Sequence, residues 1–200
     1  RLGRGNMAHW FLQQYAEAFI AENTLNMNGD FTDKGLGSFM PRELSAGRWG
    51  REYSLNGGPG AAAALLEMLL QSWGGRIRLF PAIPATWRDA YFRDLRAEGA
   101  FLVTARLAAG QVVFAEVTSK AGGLCQVENP WPQRAEILNL ANGERLVLDG
   151  GTLAFSTPPG LSYRFTPEGQ SVQEEELGPP RYLRSRREGY CFGVKHHARG

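Results

Sequence analysis

The chain has 200 residues, of which 43% are hydrophobic and 21% charged, with a formal net charge of +2. That balance permits one or two modest packed domains. Residues 181–200 hold six basic side chains against Glu188, a local +5. This leaves the remainder at −3, without the basic face that nucleic acid requires. No apolar run approaches the roughly 18 residues that a bilayer crossing takes, so no membrane partner is expected.

The chain starts at Arg1 without an initiating Met and passes at once into a helical pattern, with Phe11, Tyr15, Ala18 and Phe19 at helical spacing. His9 on this helix reads as a packing or surface residue. A loop over about residues 23–59 follows. It holds seven glycines and is too long to be idle in a compact domain unless it is functional or disordered. Asn56-Gly57-Gly58 breaks this loop, and Pro59 supplies a preset φ at the expected first helical position. Four alanines with Leu65, Leu66, Met68, Leu69 and Leu70 then carry a helix that is apolar nearly all round, which predicts walls of other helices or a second layer around it. Gly74-Gly75 is expected to stop it as a left-handed C-terminal cap, ahead of a strand over residues 77–80.

Beyond Arg76 the period changes to two. Alternating segments at 101–107, 111–117, 135–140, 145–148, 152–155 and 161–165 are separated by glycine- or proline-bearing turns, and this spacing predicts an antiparallel sandwich. Asn142-Gly143 is the best hairpin signal, read as a type I′ turn. From Gly169 onward, Glu174-Glu175-Glu176, Pro179-Pro180 and the arginine-rich end have little to bury, which predicts a solvated, disordered tail. Cys125, in an expected strand, and Cys191, in the tail, read as free thiols. Cys191 with His196-His197 lacks the spacing and rigid support of a metal centre, so no metal is expected.

The run from Leu55 through Glu67-Met68-Leu69-Leu70-Gln71-Ser72 to Arg78-Leu79-Phe80-Pro81-Ala82-Ile83-Pro84 resembles glycoside hydrolase family 95, the α-L-fucosidases and their relatives. Asn26-Met27-Asn28-Gly29-Asp30 upstream and Asp94 to Val103 downstream extend the likeness, which covers roughly the first 165 residues. The resemblance implies an α+β multidomain fragment: residues 1–75 as the last helices of an (α/α)6 catalytic barrel, 76–168 as a C-terminal antiparallel β-sandwich domain, and 169–200 as a basic tail. Residues 79–87, stiffened by Pro81 and Pro84, would be the crossing between the first two. It further implies an inverting glycosidase acting on α-L-fucosidic or related bonds without a cofactor, on a carbohydrate substrate. In such a mechanism an acid protonates the leaving oxygen while a base activates water on the opposite sugar face, the two carboxyls standing about 6.5 to 9.5 Å apart. The family's acid lies on an earlier helix, so a piece like this one is expected to be inactive alone. A secreted or periplasmic location is what the family implies, and these residues do not decide it.

The family's general base is a carboxylate just before the glycine-rich turn, and counting back from Glu67 puts Asn56 on that position. An amide has no basic lone pair at neutral pH, so Asn56 can orient a water and cannot take its proton. Three readings of Asn56 stand open: a plain turn residue, the mark of a weakened or lost hydrolase, or a site whose base lies nearby at Glu52, Asp30 or Asp33. An inverting phosphorylase, with phosphate in place of the base, is a related possibility. The rings of Trp49 and Tyr53, with Trp73 beyond them, suit packing on sugar C–H faces and equally suit ordinary core or edge packing.

Overall fold

A computed structural model describes residues 2–20, 26 and 56–179, together with the backbone of 190–191 and 194–195. The described residues fall into two compact units. One takes in 2–6 and 67–179, and the other 7–66 with the C-terminal pairs.

The first unit is a two-layer β sandwich. One sheet runs in the order β3 (Ala90–Ala97), β4 (Phe101–Ala108), β5 (Gln111–Ser119), β10 (Ser162–Pro167), β7 (Ala135–Asn139) and β8 (Arg145–Leu148), antiparallel throughout. Facing it, β6 (Gly123–Glu128) pairs with β9 (Thr152–Thr157). A short hairpin of β1 (Leu70–Gln71) and β2 (Arg78–Leu79) adds to this second layer. Ile77, just before β2, bridges Val127 of β6: the Ile77 N–H donates to the Gln126 carbonyl, and the Glu128 N–H to the Ile77 carbonyl, both at 2.8 Å. The second layer therefore reads β1-β2-β6-β9.

The period-two pattern decides which side chains meet between the layers. Phe101, Val103, Ala105 and Leu107 of β4 pack with Ala115, Val117, Ile137 and Phe165 of the same sheet, against Cys125, Val127 and Leu153 of the other. Trp131 joins this core and donates its Nε1–H to the Val112 carbonyl at 2.7 Å, so its polar edge enters the interior satisfied.

All six alternating segments are strands. β3 was not among them, because a bulge breaks its alternation: the register with β4 shifts between Phe92 and Leu95, and Asp94 takes φ 53° with its N–H donating to Thr104 Oγ1. The Asn142-Gly143 turn is not type I′. Only Gly143 has positive φ, 77°, while Asn142 accepts the Glu144 N–H on its side-chain oxygen within a four-residue loop closed by Asn139 and Glu144.

The helices depart further from expectation. α1 (Gly5–Phe19) and α2 (Gly57–Leu69) both form, but α2 ends before the diglycine. The reason is that the Leu70–Gln71 backbone pairs with Arg78–Leu79, while Gly74 and Gly75, at φ 73° and 72°, make the hairpin turn between them. Pro59 is the third helical residue rather than the first. Its missing N–H still falls among those that no helix carbonyl can reach. Nor is α2 walled in: Met68 is its buried residue, while Leu65 and Leu66 are 39% and 46% exposed. On α1, Trp10 and Phe11 are 50% and 59% exposed, so Phe11 does not share the burial of Ala18.

Residues 169–173 and 176–179 are exposed or half-buried, as the expected solvated tail requires, but the segment carries local structure that a disordered one would lack. A 3-10 turn at Glu174–Leu177 is held by a reciprocal capping box between Gln173 and Glu176, and Arg106 Nη1 of β4 donates to the Gly178 carbonyl at 3.3 Å. Composition pointed to disorder because this segment contributes little apolar area. What orders it is local polar bonding, which composition does not report. Outside this first unit, β11 (Tyr190–Cys191) and β12 (Val194–Lys195) pair antiparallel.

Candidate functional site

Asn56 stands directly before α2, and its carbonyl accepts the Gly60 N–H at 3.2 Å, the first bond of the helix. It therefore holds the N-cap place, one that asparagine favours, and it is exposed. Gly57 follows for a steric reason. A Cβ there would lie 2.4 Å from Asn26 Oδ1, so any larger residue would push the Asn26 side chain out of its present position. The Tyr15 hydroxyl of α1 donates to the same Asn26 oxygen, and residue 26 bridges Ile20 in antiparallel sense. The C-terminal half of α1, residue 26 and the first turn of α2 thus converge within the second unit. Burial pushes the Tyr15 phenol above its ordinary value, which keeps it a neutral donor.

Chemically, this corner offers amide groups and the positive end of α2, which suit orienting a water or a partly negative oxygen. Neither amide is a base. Trp49, Tyr53 and the carboxylates Asp30, Asp33 and Glu52 lie outside the described residues, as do His196 and His197; Cys191 is described by its backbone alone. Trp73 belongs to the β1–β2 hairpin: the Arg78 guanidinium sits 4.2 Å from its ring centre, and its Nε1–H donates to Gln71 Oε1 at 3.2 Å. Tyr15 carried no signal for this role, because its spacing assigned it to the apolar face of α1. Its meeting with Asn26 depends on how the chain returns between the two helices.

In the β sandwich, Cys125 is a free, buried thiol that burial pushes up to about 12, which makes it an inert small hydrophobe. Among the described residues no three His, Cys, Asp or Glu side chains gather in a metal-binding group, and no helix is long and apolar enough to cross a membrane. Tyr163 and Asn139, directly opposite one another on β10 and β7, border a cavity between the layers.

Comparison with curated proteins finds no match. A family model, that of glycoside hydrolase family 95, C-terminal domain, matches residues 71–165, from the end of β1 into β10. The matched span and the folded sandwich coincide over nearly all of their length, so residues 71–165 are similar to the C-terminal domain of glycoside hydrolase family 95 in sequence, and the sandwich fold is consistent with that domain.

Proposed function

We propose that this chain is the C-terminal portion of an inverting glycoside hydrolase acting on α-L-fucosidic or related bonds, with α1 and α2 as the last helices of an (α/α)6 barrel. The observation that carries this reading is the family match over residues 71–165. The exposed Trp10, Phe11, Leu65 and Leu66 support it, since side chains of that size on helix faces are the kind that further barrel helices would cover. In this reading the corner of Asn26, Asn56 and Gly57 faces the sugar. It orients the attacking water, while the acid comes from an earlier helix, so the 200-residue chain is inactive by itself.

A second reading is favoured by one specific observation. Asn56 serves α2 as its N-cap through its carbonyl, a structural duty that needs no carboxylate. Under that reading the protein is a non-catalytic, carbohydrate-binding or structural relative.

The two separate in one experiment. The full-length parent and its Asn56→Asp variant are assayed on aryl α-L-fucoside and aryl L-galactoside, with and without inorganic phosphate. A gain of activity in Asn56→Asp supports the base assignment and the enzymatic ancestry. Strong hydrolysis by the unmodified parent would show that Asn56 is no lesion, and release of a sugar 1-phosphate only with phosphate present would replace hydrolysis by phosphorolysis. Inactivity of both proteins, with sugar binding retained, would establish the non-catalytic reading.

A further inference from the structure

The sandwich is not filled to its edge. Between β7, β8 and β10 of the large sheet and β9 of the small one lies a cavity of about 570 Å³, within the range of small-molecule sites. Its inner wall is unusual for a β core. Tyr163 is 7% exposed and Asn139 is 9% exposed, and the pairing register sets them side by side on the inward face. The Tyr163 hydroxyl makes no hydrogen bond to another described residue. Asn139, which lines the cavity, uses its Oδ1 to accept the Ala141 N–H at 3.0 Å, and its Nδ2 makes no hydrogen bond to another described residue. Neither the Tyr163 hydroxyl nor the Asn139 amide nitrogen is a sealed, unbonded atom, so both can be reached by a ligand from the cavity.

The rest of the lining narrows the chemistry. Ile137 and Phe155 supply an apolar floor, the Phe155 ring standing edge-on to Tyr163 at 5.0 Å between centroids. At the rim, Glu144 accepts from Asn142 Nδ2 at 2.7 Å, and Arg145 is paired with Glu136, so no positive charge is left over for an anion. Burial first, then the charges of Cys125 and Glu144, hold the Tyr163 phenol above its ordinary value, so it is a neutral donor across the physiological range. An acyl chain would leave the hydroxyl and amide dry, at a desolvation penalty. A ligand with hydroxyls along one side and C–H groups along the other satisfies both walls.

We infer that this cavity is a binding subsite for a neutral glycan segment, separate from the helical corner around Asn56, with Tyr163 and Asn139 bonding sugar hydroxyls and Phe155 against the C–H face. The site goes beyond the proposed hydrolytic activity and does not depend on it. A parent that is inactive on aryl fucosides and yet binds sugar here would sink the enzymatic reading and leave this one intact.

The test is amide-resolved NMR titration of the whole 200-residue chain with methyl α-L-fucopyranoside, methyl β-D-galactopyranoside and lactose, each to about 50 mM, far above a millimolar Kd. We expect saturable shifts at residues 137–146 and 155–163 with at least one sugar. Tyr163→Phe keeps the ring and removes the hydroxyl, and should weaken that binding about five- to tenfold. Asn139→Asp keeps the Ala141 acceptor while losing the amide donors, and should do the same. It carries the test if Tyr163→Phe fails to fold. Three results would each overturn the inference: no saturable shift with any sugar, affinity unchanged in both variants, or inorganic phosphate or laurate saturating the same amides below every sugar.

Discussion

Replacing Gly5 by alanine sets two principles against each other, and the structure decides the sign. By helix propensity alone, alanine for glycine in a helix gains up to about 1 kcal/mol. Gly5 opens α1 and is buried, and a Cβ there would lie 2.0 Å from the Ile83 carbonyl oxygen and 2.6 Å from that of Ala82. Ordinary contact begins at 3.4 Å, so backbone must retreat by about 1.4 Å, and backbone yields less readily than the end of a side chain. A clash this deep against backbone belongs in the upper half of the usual overpacking cost, about 2–3 kcal/mol, which less about 1 kcal/mol of propensity leaves a net loss of about 1–2 kcal/mol. The cheapest relief is for residues 2–6 to leave the 82–85 segment, breaking the bond from the Ala85 N–H to Asn6 Oδ1 at 2.8 Å. Native-state hydrogen exchange reads this directly: the Ala85 amide should exchange about 5–30 times faster in Gly5→Ala. Gly60→Ala is the matched control, since a Cβ there meets nothing within 4 Å, and it should stabilise α2 by about 0.5–1 kcal/mol. Unchanged or slower exchange at Ala85 in Gly5→Ala would refute the steric argument.

Two further outcomes follow from the sandwich. The Cys125 thiol, raised from 9.0 to about 12, is protonated in the folded state where the unfolded thiol ionises; stability is therefore complete below pH 9 and declines as pH climbs from there towards 12. Denaturant titrations at pH 8 and pH 10.5 should show the loss, a Cys125→Ala variant should flatten it, and a thiol reagent should label Cys125 only on unfolding, as read by peptide mapping that separates it from Cys191. On the outer face of the large sheet, Arg164 bonds Glu116 through Nε at 2.8 Å and Nη2 at 2.7 Å, with side-chain exposures of 24% and 28%. A double-mutant cycle of Arg164→Met and Glu116→Gln should give a coupling of about 1–2 kcal/mol, between exposed and fully buried pairs. The Arg134–Glu168 pair, at 54% and 35%, should give less than about 1 kcal/mol; equal couplings would show that burial is not what sets the strength.

Much of the sandwich was legible because a strand half-buried in a core writes its period into the chain. The stretch Phe101-Leu102-Val103-Thr104-Ala105 places every second residue in the interlayer core, and the structure keeps that alternation. Where a bulge intervenes at Asp94 the period is lost, and with it the signal for β3. Strand order was not legible either: β10 enters between β5 and β7, and β6 and β9 leave for the other layer, a choice made by contacts between residues far apart in sequence. The helical corner was half legible. Asn56 and the motif containing Asn26 drew notice through family resemblance, while the convergence of Tyr15, Asn26 and Gly57 is a matter of chain return.

The diglycine after α2 shows how far local rules reach. Gly74-Gly75 declares positive φ, and both residues have it, but a helix cap and a hairpin turn make the same demand of glycine. Only the pairing of Leu70–Gln71 with Arg78–Leu79 decides between them. By itself the sequence determined the residues' conformational preferences, the alternation that builds the sandwich, and the likeness to a glycoside hydrolase family. Tertiary structure decided where α2 stops, how the layers are ordered, and that Tyr163 and Asn139 face an unfilled cavity. These depend on which distant backbone groups and side chains compete for the same partners, a competition that no local pattern records.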